Sequence, residues 1–543
     1  MSGRDPSTAA PAHADEPGDG DPPALRSFTL YDVLRRCARV APEAPALICE
    51  DGDELSFGEW LARVDRLAGG LEQRGIGRGD RVAVLALNSI GFASLYFAAA
   101  RQGAVLVPIN WRLQPQEIDL LWRRTGPRAI FVDAANRATL AATEAARQCA
   151  LSILLEGDSE GPTDAGSEEA SLELEPFAAV DAAPGERPEV SADDPVAIIA
   201  TAAVDVIPRG ALLSHRNLIS SNLQEIAALG LGPDDRSLLA LPLFHIAALG
   251  HFLAFLHAGG ASVVMARFDA GRAVELIARH RVTHVSDFPP VLSQLLDAAA
   301  ADGAPESALA SLRHVTGLDS PETMQRLHEE TDASFWTGFG QTETSGFVTL
   351  QNAREKLGSA GRPCELCTVA LHDEFDRPVP SGETGEIVVR GPLVFLGYDG
   401  QPDVTAHTFR GGWHHTGDLG RLDEQGRLIY VGRTAAKELI KPGGENVYPA
   451  EVEKVLVEMP GVRAACVLGI PDPKWGEGIL AVLETGEEYS LDLDGVRAFV
   501  GERIARFKRP QKVETTDSLP RRDDGTIDRD AVRERWAKGL SRG

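Results

Sequence analysis

Cysteine is scarce in this chain, with six residues among 543. Only Cys364 and Cys367 are close-set, and neither a second CxxC nor a CxxH accompanies them. A zinc site or redox pair is therefore not expected, and the thiols read as buried structural ones. Long apolar runs are missing too. No stretch of about 18 apolar residues occurs, which excludes a membrane-spanning helix. Positive charge is in deficit, 54 Lys and Arg against 80 Asp and Glu, for a net charge of −26. That balance argues against nucleic acid as a partner, because neutralising phosphates takes clustered cations. It leaves room for an anionic cofactor, since a local basic patch can sit within an acidic whole. The opening residues, 1–25, have neither a basic start nor an apolar core, and read as a disordered tail rather than a signal peptide. Together these absences imply a cytoplasmic, reducing setting.

What is present is ordinary for a globular protein: 43% hydrophobic and 25% charged residues. The length is too great for one core and predicts at least two domains. Apolar runs at 104–107, 129–132, 197–199, 262–265 and 283–285 alternate with segments of helical periodicity. Such alternation predicts βαβ units and parallel sheets. Residues 157–194 are acidic and rich in Gly, Pro, Ser and Ala, which reads as a surface excursion. From about 345 to 432 short strands and turns, Glu386–Arg390 the clearest, suggest a small β-subdomain. The remainder reads as α+β, with helices at 450–459 and 491–504 around a strand at 464–468. The predicted division is an N-terminal α/β domain over 26–432, a link over 433–437 and a C-terminal domain over 438–543.

The densest chemistry lies between Gly412 and Glu453. Thr416-Gly417-Asp418 reads as a tight turn carrying an acid, ahead of a short hairpin at Arg427–Tyr430. A charged link with Arg433, Lys437 and Glu438 follows, and Gly443-Gly444-Glu445-Asn446 opens an amphipathic helix. Asp418 and Arg433 flank the hairpin, where both could hydrogen-bond the hydroxyls of a ribose. This stretch resembles the adenylate-forming superfamily of AMP-forming acyl-CoA synthetases, and the resemblance extends over about residues 30–540. It implies a large domain that binds ATP and an acid and makes an acyl-adenylate. A mobile C-terminal lid then delivers coenzyme A to the activated carbonyl.

The resemblance also implies roles for particular residues. Thr337-Gly338-Phe339-Gly340-Gln341-Thr342-Glu343 resembles the adenine and metal motif: Phe339 would stack on adenine between Gly338 and Gly340, Thr342 would meet the α-phosphate, and Glu343 would hold Mg²⁺. Asp418 and Arg433 carry over as ribose ligands. Pro242-Leu243-Phe244-His245 resembles the acyl-pocket motif, making His245 a catalytic candidate and Phe244, Gly250, Thr316 and Gly338 further pocket walls. Lys437 is the implied hinge residue. Gly443, Gly444 and Glu445 match the loop that lines the pantetheine tunnel. Pro471–Glu477 and Arg506–Pro510 resemble small-domain motifs whose cations either meet CoA phosphates or face solvent. The implied substrates are CoA and a small carboxylic acid, with a fatty acid as the default, and a homodimer would be unsurprising.

Two departures stand out. The family's phosphate loop is rich in glycine and hydroxyl residues, which wrap β- and γ-phosphates. Here residues 200–210 read ATAAVDVIPRG, keeping only Thr201 as a hydroxyl and placing Arg209 where the family has lysine. The family's C-terminal lysine, which bridges carboxylate and α-phosphate, is replaced by Thr526. Both changes fall on adenylation. The expectation is a synthetase with weakened or altered adenylation. The alternatives are an adenylate-forming enzyme with another acceptor, or a decayed nucleotide- or acyl-CoA-binding protein.

Overall fold

The computed structural model describes residues 27–155, 174–201, 209–301, 303, 307–434, 438–486, 491–522 and 525–537. Two large sheets dominate the N-terminal part. The eight-stranded sheet has a parallel centre built from Arg81–Leu85, Val105–Pro108 and Ala129–Val132. The nine-stranded sheet runs parallel through Arg236–Leu239, His284–Asp287, His314–Gly317 and Ser334–Gln341, then turns antiparallel at Gly346–Asn352. Central strands such as Ala129–Val132 are buried on both faces, which is why they read as unbroken apolar runs rather than alternating ones.

Helices fill the space around the sheets. In Ile90–Gln102 every residue except Ile90 is buried, and Trp60, Phe97 and Phe252 meet there with ring centroids 4.9–6.4 Å apart. Each such ring contributes about 1.5–3 kcal/mol by leaving water, and together they fix helix positions behind the sheets. Among the described residues no helix is long and apolar enough to cross a membrane.

A four-stranded antiparallel sheet follows: Thr368–His372, Gly385–Arg390, His414–Leu422 and Leu428–Arg433. The C-terminal part is a three-stranded sheet, Val462–Asp472, Gly476–Thr485 and Lys512–Thr516. Helices Pro449–Leu456 and Leu493–Gly501 cover it through Val452, Leu456, Val496 and Val500. This is the α/β large domain with a smaller α+β partner that the sequence implies.

Local differences have physical reasons. The strand expected at 464–468 runs from Val462 to Asp472, because its hairpin partner supplies a ladder along the whole length. Thr416-Gly417-Asp418 is not a turn. It lies inside the strand His414–Leu422, where Thr416 Oγ1 donates to the Ile387 carbonyl at 2.6 Å and Gly417 adopts φ 72°. The register shifts at this point, a bulge that re-aims the next side chain. Of the acidic excursion at 157–194, residues 157–173 lie outside the described residues. The part beyond them returns to the core: Val180 is fully buried and Phe177 sits edge-on to Phe131. The expected tail at 1–25 also lies outside the described residues.

Candidate active site

Strand Ser334–Gln341 ends in a 3-10 turn, Thr342–Thr344, which carries Thr342 and Glu343 out of the sheet half-buried. Its neighbour Gly346–Asn352 runs so close that a Cβ on Gly338 or Gly340 would lie 2.1 Å from a backbone carbonyl oxygen. Strand pairing alone therefore demands both glycines. Phe339 points to the other face. It is 8% exposed within the β-subdomain core and faces Tyr430 at 6.4 Å between ring centroids, which leaves little of the ring for an adenine to cover.

Glu343 Oε1 accepts from the Tyr398 hydroxyl at 2.9 Å, and the Arg209 guanidinium lies over the Tyr398 ring at 5.2 Å. One carboxylate on a tight turn is the hard-oxygen donor that magnesium takes when phosphate oxygens and water complete its shell; Glu343 fits that ion. Thr201 ends the strand Pro195–Thr201, and its hydroxyl donates to the Arg209 carbonyl at 3.4 Å. The hairpin thus takes the hydrogen bond that a phosphate was expected to receive. Residues 202–208, which carry most of the altered phosphate loop, lie outside the described residues, as does Lys437.

Asp418 and Arg433 are direct cross-strand partners, with Arg433 Nε 4.0 Å from Asp418 Oδ1. Asp418 is 4% exposed and accepts from Tyr430 at 3.2 Å and from the Gln341 amide. Gln341 thereby joins the adenine-motif strand to the expected ribose ligand. Arg433 also reaches the C-terminal domain, donating to Leu439 O and lying 3.5 Å from Glu477. Gly443, with φ 57°, packs on Pro289 and Trp475, and Gly444, with φ 83°, packs on Phe288. The glycine loop is thus pressed against the large domain.

Glu445 anchors that contact. Its carboxylate accepts from Asn110 at 3.1 Å and from Arg112, and lies 3.4 Å from His245 Nε2. The expectation grouped Glu445 with the cofactor loop and His245 with the acyl pocket; the structure joins them to each other across the domain boundary. Burial pushes the Glu445 carboxyl up, but His245 and Arg112 outweigh it and hold the group down at about 2. The docking charge is therefore fully present above about pH 4.3, the unfolded-chain value, and is lost as pH falls toward 2. Glu445→Gln removes it at every pH. The expected cost to docking is about 1–3 kcal/mol, because Arg112 stays a third exposed and water screens what remains. Single-turnover thioester formation at pH 7 should slow accordingly, and an unchanged rate would refute the docking role.

Thr526 is exposed, and Arg521 and Arg529 bind Glu484, Glu453 and Glu438, all within the C-terminal domain. Of the expected pocket walls, Gly250 and Thr316 line a cavity with Phe288 and Phe347. Phe244 and Gly338 do not border it, and neither does His245. Sequence reasoning missed Tyr398, Gln341, Arg112 and Asn110. Their partners lie 55 to 335 residues away, so no local pattern marks them.

The family model described as AMP-binding enzyme matches residues 34–399, and that for the AMP-binding enzyme C-terminal domain matches 451–525. A feruloyl-CoA synthase of Amycolatopsis sp is 36% identical, over 94% of this chain and 100% of that protein. A long-chain-fatty-acid–CoA ligase of Mycobacterium tuberculosis is 31% identical, over 93% and 98%. Among solved structures, o-succinylbenzoate CoA synthetase of Bacillus subtilis is 27% identical. Bound to a product analogue, as a double mutant, it covers 94% of this chain and 99% of its own with a TM-score of 0.77. In complex with its acyl-adenylate the coverage is 94% and 98%, and the score is 0.65. With both lobes matched and relatives spanning nearly the whole length, the chain belongs to the AMP-binding enzyme family and is a ligase of the AMP-forming acid–CoA type.

Proposed function

We propose that this ligase is built chiefly for the second half of its cycle, transfer of an acyl group from adenylate to CoA. ATP, magnesium, a carboxylic acid and CoA are its reactants. The observation that carries the proposal is the docked glycine loop: Glu445 is bound by Asn110 and Arg112 beside His245, while Thr526 is exposed. The better match to the product-analogue structure than to the acyl-adenylate one supports the same arrangement.

Chemically, a carboxylate is a poor electrophile, and joining it to AMP supplies a leaving group. On this reading Thr342, Glu343 and Arg209 would meet the α-phosphate and its metal, and Asp418 and Arg433 would bind the ribose, as the family resemblance implies. The family resemblance implies Lys437 as the hinge residue about which the C-terminal domain would turn between the two half-reactions. The cytoplasmic setting rests on the six free cysteines, and the homodimer on the sequence expectation alone, for which sedimentation is the check.

Product analysis tests the proposal. Acid, ATP and CoA should yield acyl-CoA and AMP in equal amounts, with acyl-adenylate accumulating when CoA is left out. Release of ADP, or an identical product mixture with and without CoA, would sink it.

A further inference from the structure

The cavity between helices His215–Leu229 and Ile246–Ala258 ends in charge rather than in apolar side chains. Its walls include the apolar Phe288, Phe347 and Ile246, with the small polar Ser221 and Ser286 beside them. At Gly250 an added Cβ would meet nothing nearer than Ser345 O at 3.7 Å, which keeps one wall smooth. Glu225, His251 and Thr316 also line it, and these are 8%, 5% and 3% exposed. A buried carboxylate and imidazole in an acyl pocket need a reason, because desolvating them costs free energy that an apolar floor would not.

Their hydrogen bonds give one. His251 Nδ1 is bonded to Glu225 Oε1, so the carboxylate holds the ring's Nδ1 proton and fixes the tautomer. In that tautomer Nε2 is the acceptor nitrogen; the atom is buried and has no hydrogen-bond partner among the described residues. The His251 ring lies 4.1 Å from that of His284, whose Nε2 is paired with Thr316 Oγ1 at 2.6 Å. Burial and the neighbouring imidazoles hold His284 well below its ordinary value, hence neutral. One acceptor nitrogen on the cavity wall therefore awaits a donor. His251 lies six residues beyond His245 along the helix, about 9 Å deeper at 1.5 Å per residue. The free space is small, about 30 Å³ for the centres of water-sized occupants, so any acid must displace the walls, and a compact one displaces them less than a long alkyl chain.

We propose that this pocket takes a compact, rigid carboxylic acid with a hydroxyl at its far end, a hydroxylated aromatic acid, and that His251, oriented by Glu225, receives that hydroxyl. The inference rests on the ligase reading only in taking this cavity as the acyl site. It replaces the fatty acid that the sequence left as a default.

Non-reactive acyl-sulfamoyl adenosines test it by equilibrium binding to the full chain, with or without catalysis. The 4-hydroxycinnamoyl analogue should bind at least about 10-fold more tightly than the cinnamoyl one, the scale of leaving a buried acceptor unpaired. It should also exceed the octanoyl and palmitoyl analogues. In His251→Leu the two aryl analogues should bind alike, with AMP affinity retained as the check on folding. Glu225→Gln, which preserves volume, should weaken the hydroxyl preference without abolishing it. Equal or tighter binding of an alkyl analogue would overturn the inference. So would a uniform loss for both aryl analogues in His251→Leu, or a stoichiometric metal retained by wild type and lost in that variant. Hydroxyl-selective binding with no acyl-CoA from any acid would defeat the ligase reading and leave this inference standing. Turnover of alkyl acids alone would do the reverse.

Discussion

Thr526→Lys should raise the rate of acyl-adenylate formation by about 10²-fold, the scale of one preorganised electrostatic contact to a developing charge. Arg522 N donates to Thr526 O at 2.8 Å, and Gly525 N to Arg522 O at 2.9 Å. A lysine there needs no new backbone, and the side chain is already exposed. Its ammonium would act once the C-terminal domain turns this edge toward Glu343, which the resemblance to adenylate-forming enzymes implies. ATP–pyrophosphate exchange reads adenylation alone. Conversion of supplied acyl-adenylate to acyl-CoA reads the other half-reaction and should not change. In the wild type, supplied adenylate should be converted at least about 10²-fold faster than acid plus ATP. Thr526→Met controls for bulk without charge. If exchange fails to rise in Thr526→Lys, or wild type handles both starting points at one rate, the idea of an impaired first step is wrong.

The second large effect concerns Lys508, which was expected either to meet a CoA phosphate or to face solvent. It does neither. Lys508 is 5% exposed and forms ion pairs with Glu117 of helix Pro115–Thr125 and Glu451 of helix Pro449–Leu456. Glu117 also accepts from Ala505 N at 2.9 Å, and Gln114 donates to Gly501 O at 3.2 Å. One ammonium thus ties the large domain to the C-terminal one. Burial pushes Lys508 down, but the two carboxylates outweigh it and hold it above the ordinary lysine value. Its own contribution is therefore complete below about pH 10.4 and is lost only as pH rises through the raised value; burial pushes the Glu451 carboxyl up, so that group sets the acidic end of the latch.

Lys508→Met would leave two carboxylates buried without a counter-charge. Breaking such a pair costs about 3–5 kcal/mol, which lowers the docked population by about 10²–10⁴-fold. Thioester formation from supplied adenylate should fall by that factor while pyrophosphate exchange is spared. Glu117→Ala, which leaves the C-terminal domain's own core untouched, should produce a loss of the same kind. Adding Glu117→Gln and Glu451→Gln to Lys508→Met should restore much of the activity, because a neutral cluster no longer carries the penalty. Equal losses in both half-reactions would mean a general folding defect instead of a latch.

Much of this was legible in the amino-acid order. The parallel strands announced themselves because burial on both faces demands continuous apolar runs, as in Ala129–Val132. The family could be recognised because its motifs around Phe339, Asp418 and Arg433 are contiguous and ordered, and Thr526 stands in that alignment where the family has lysine.

Pairings between distant segments were decided by the tertiary structure alone. Glu445 with Arg112 and His245, Lys508 with Glu117, and Glu225 with His251 join side chains whose spacing along the chain carries no period. The bulge at Gly417 belongs to the same class, since it comes from a register shift between strands that no single strand encodes. Local order is set by backbone and side-chain preferences over a few residues, and a sequence displays those directly. Which buried charge meets which is settled only when separate layers close on one another, since desolvation makes an unpaired choice too costly to keep.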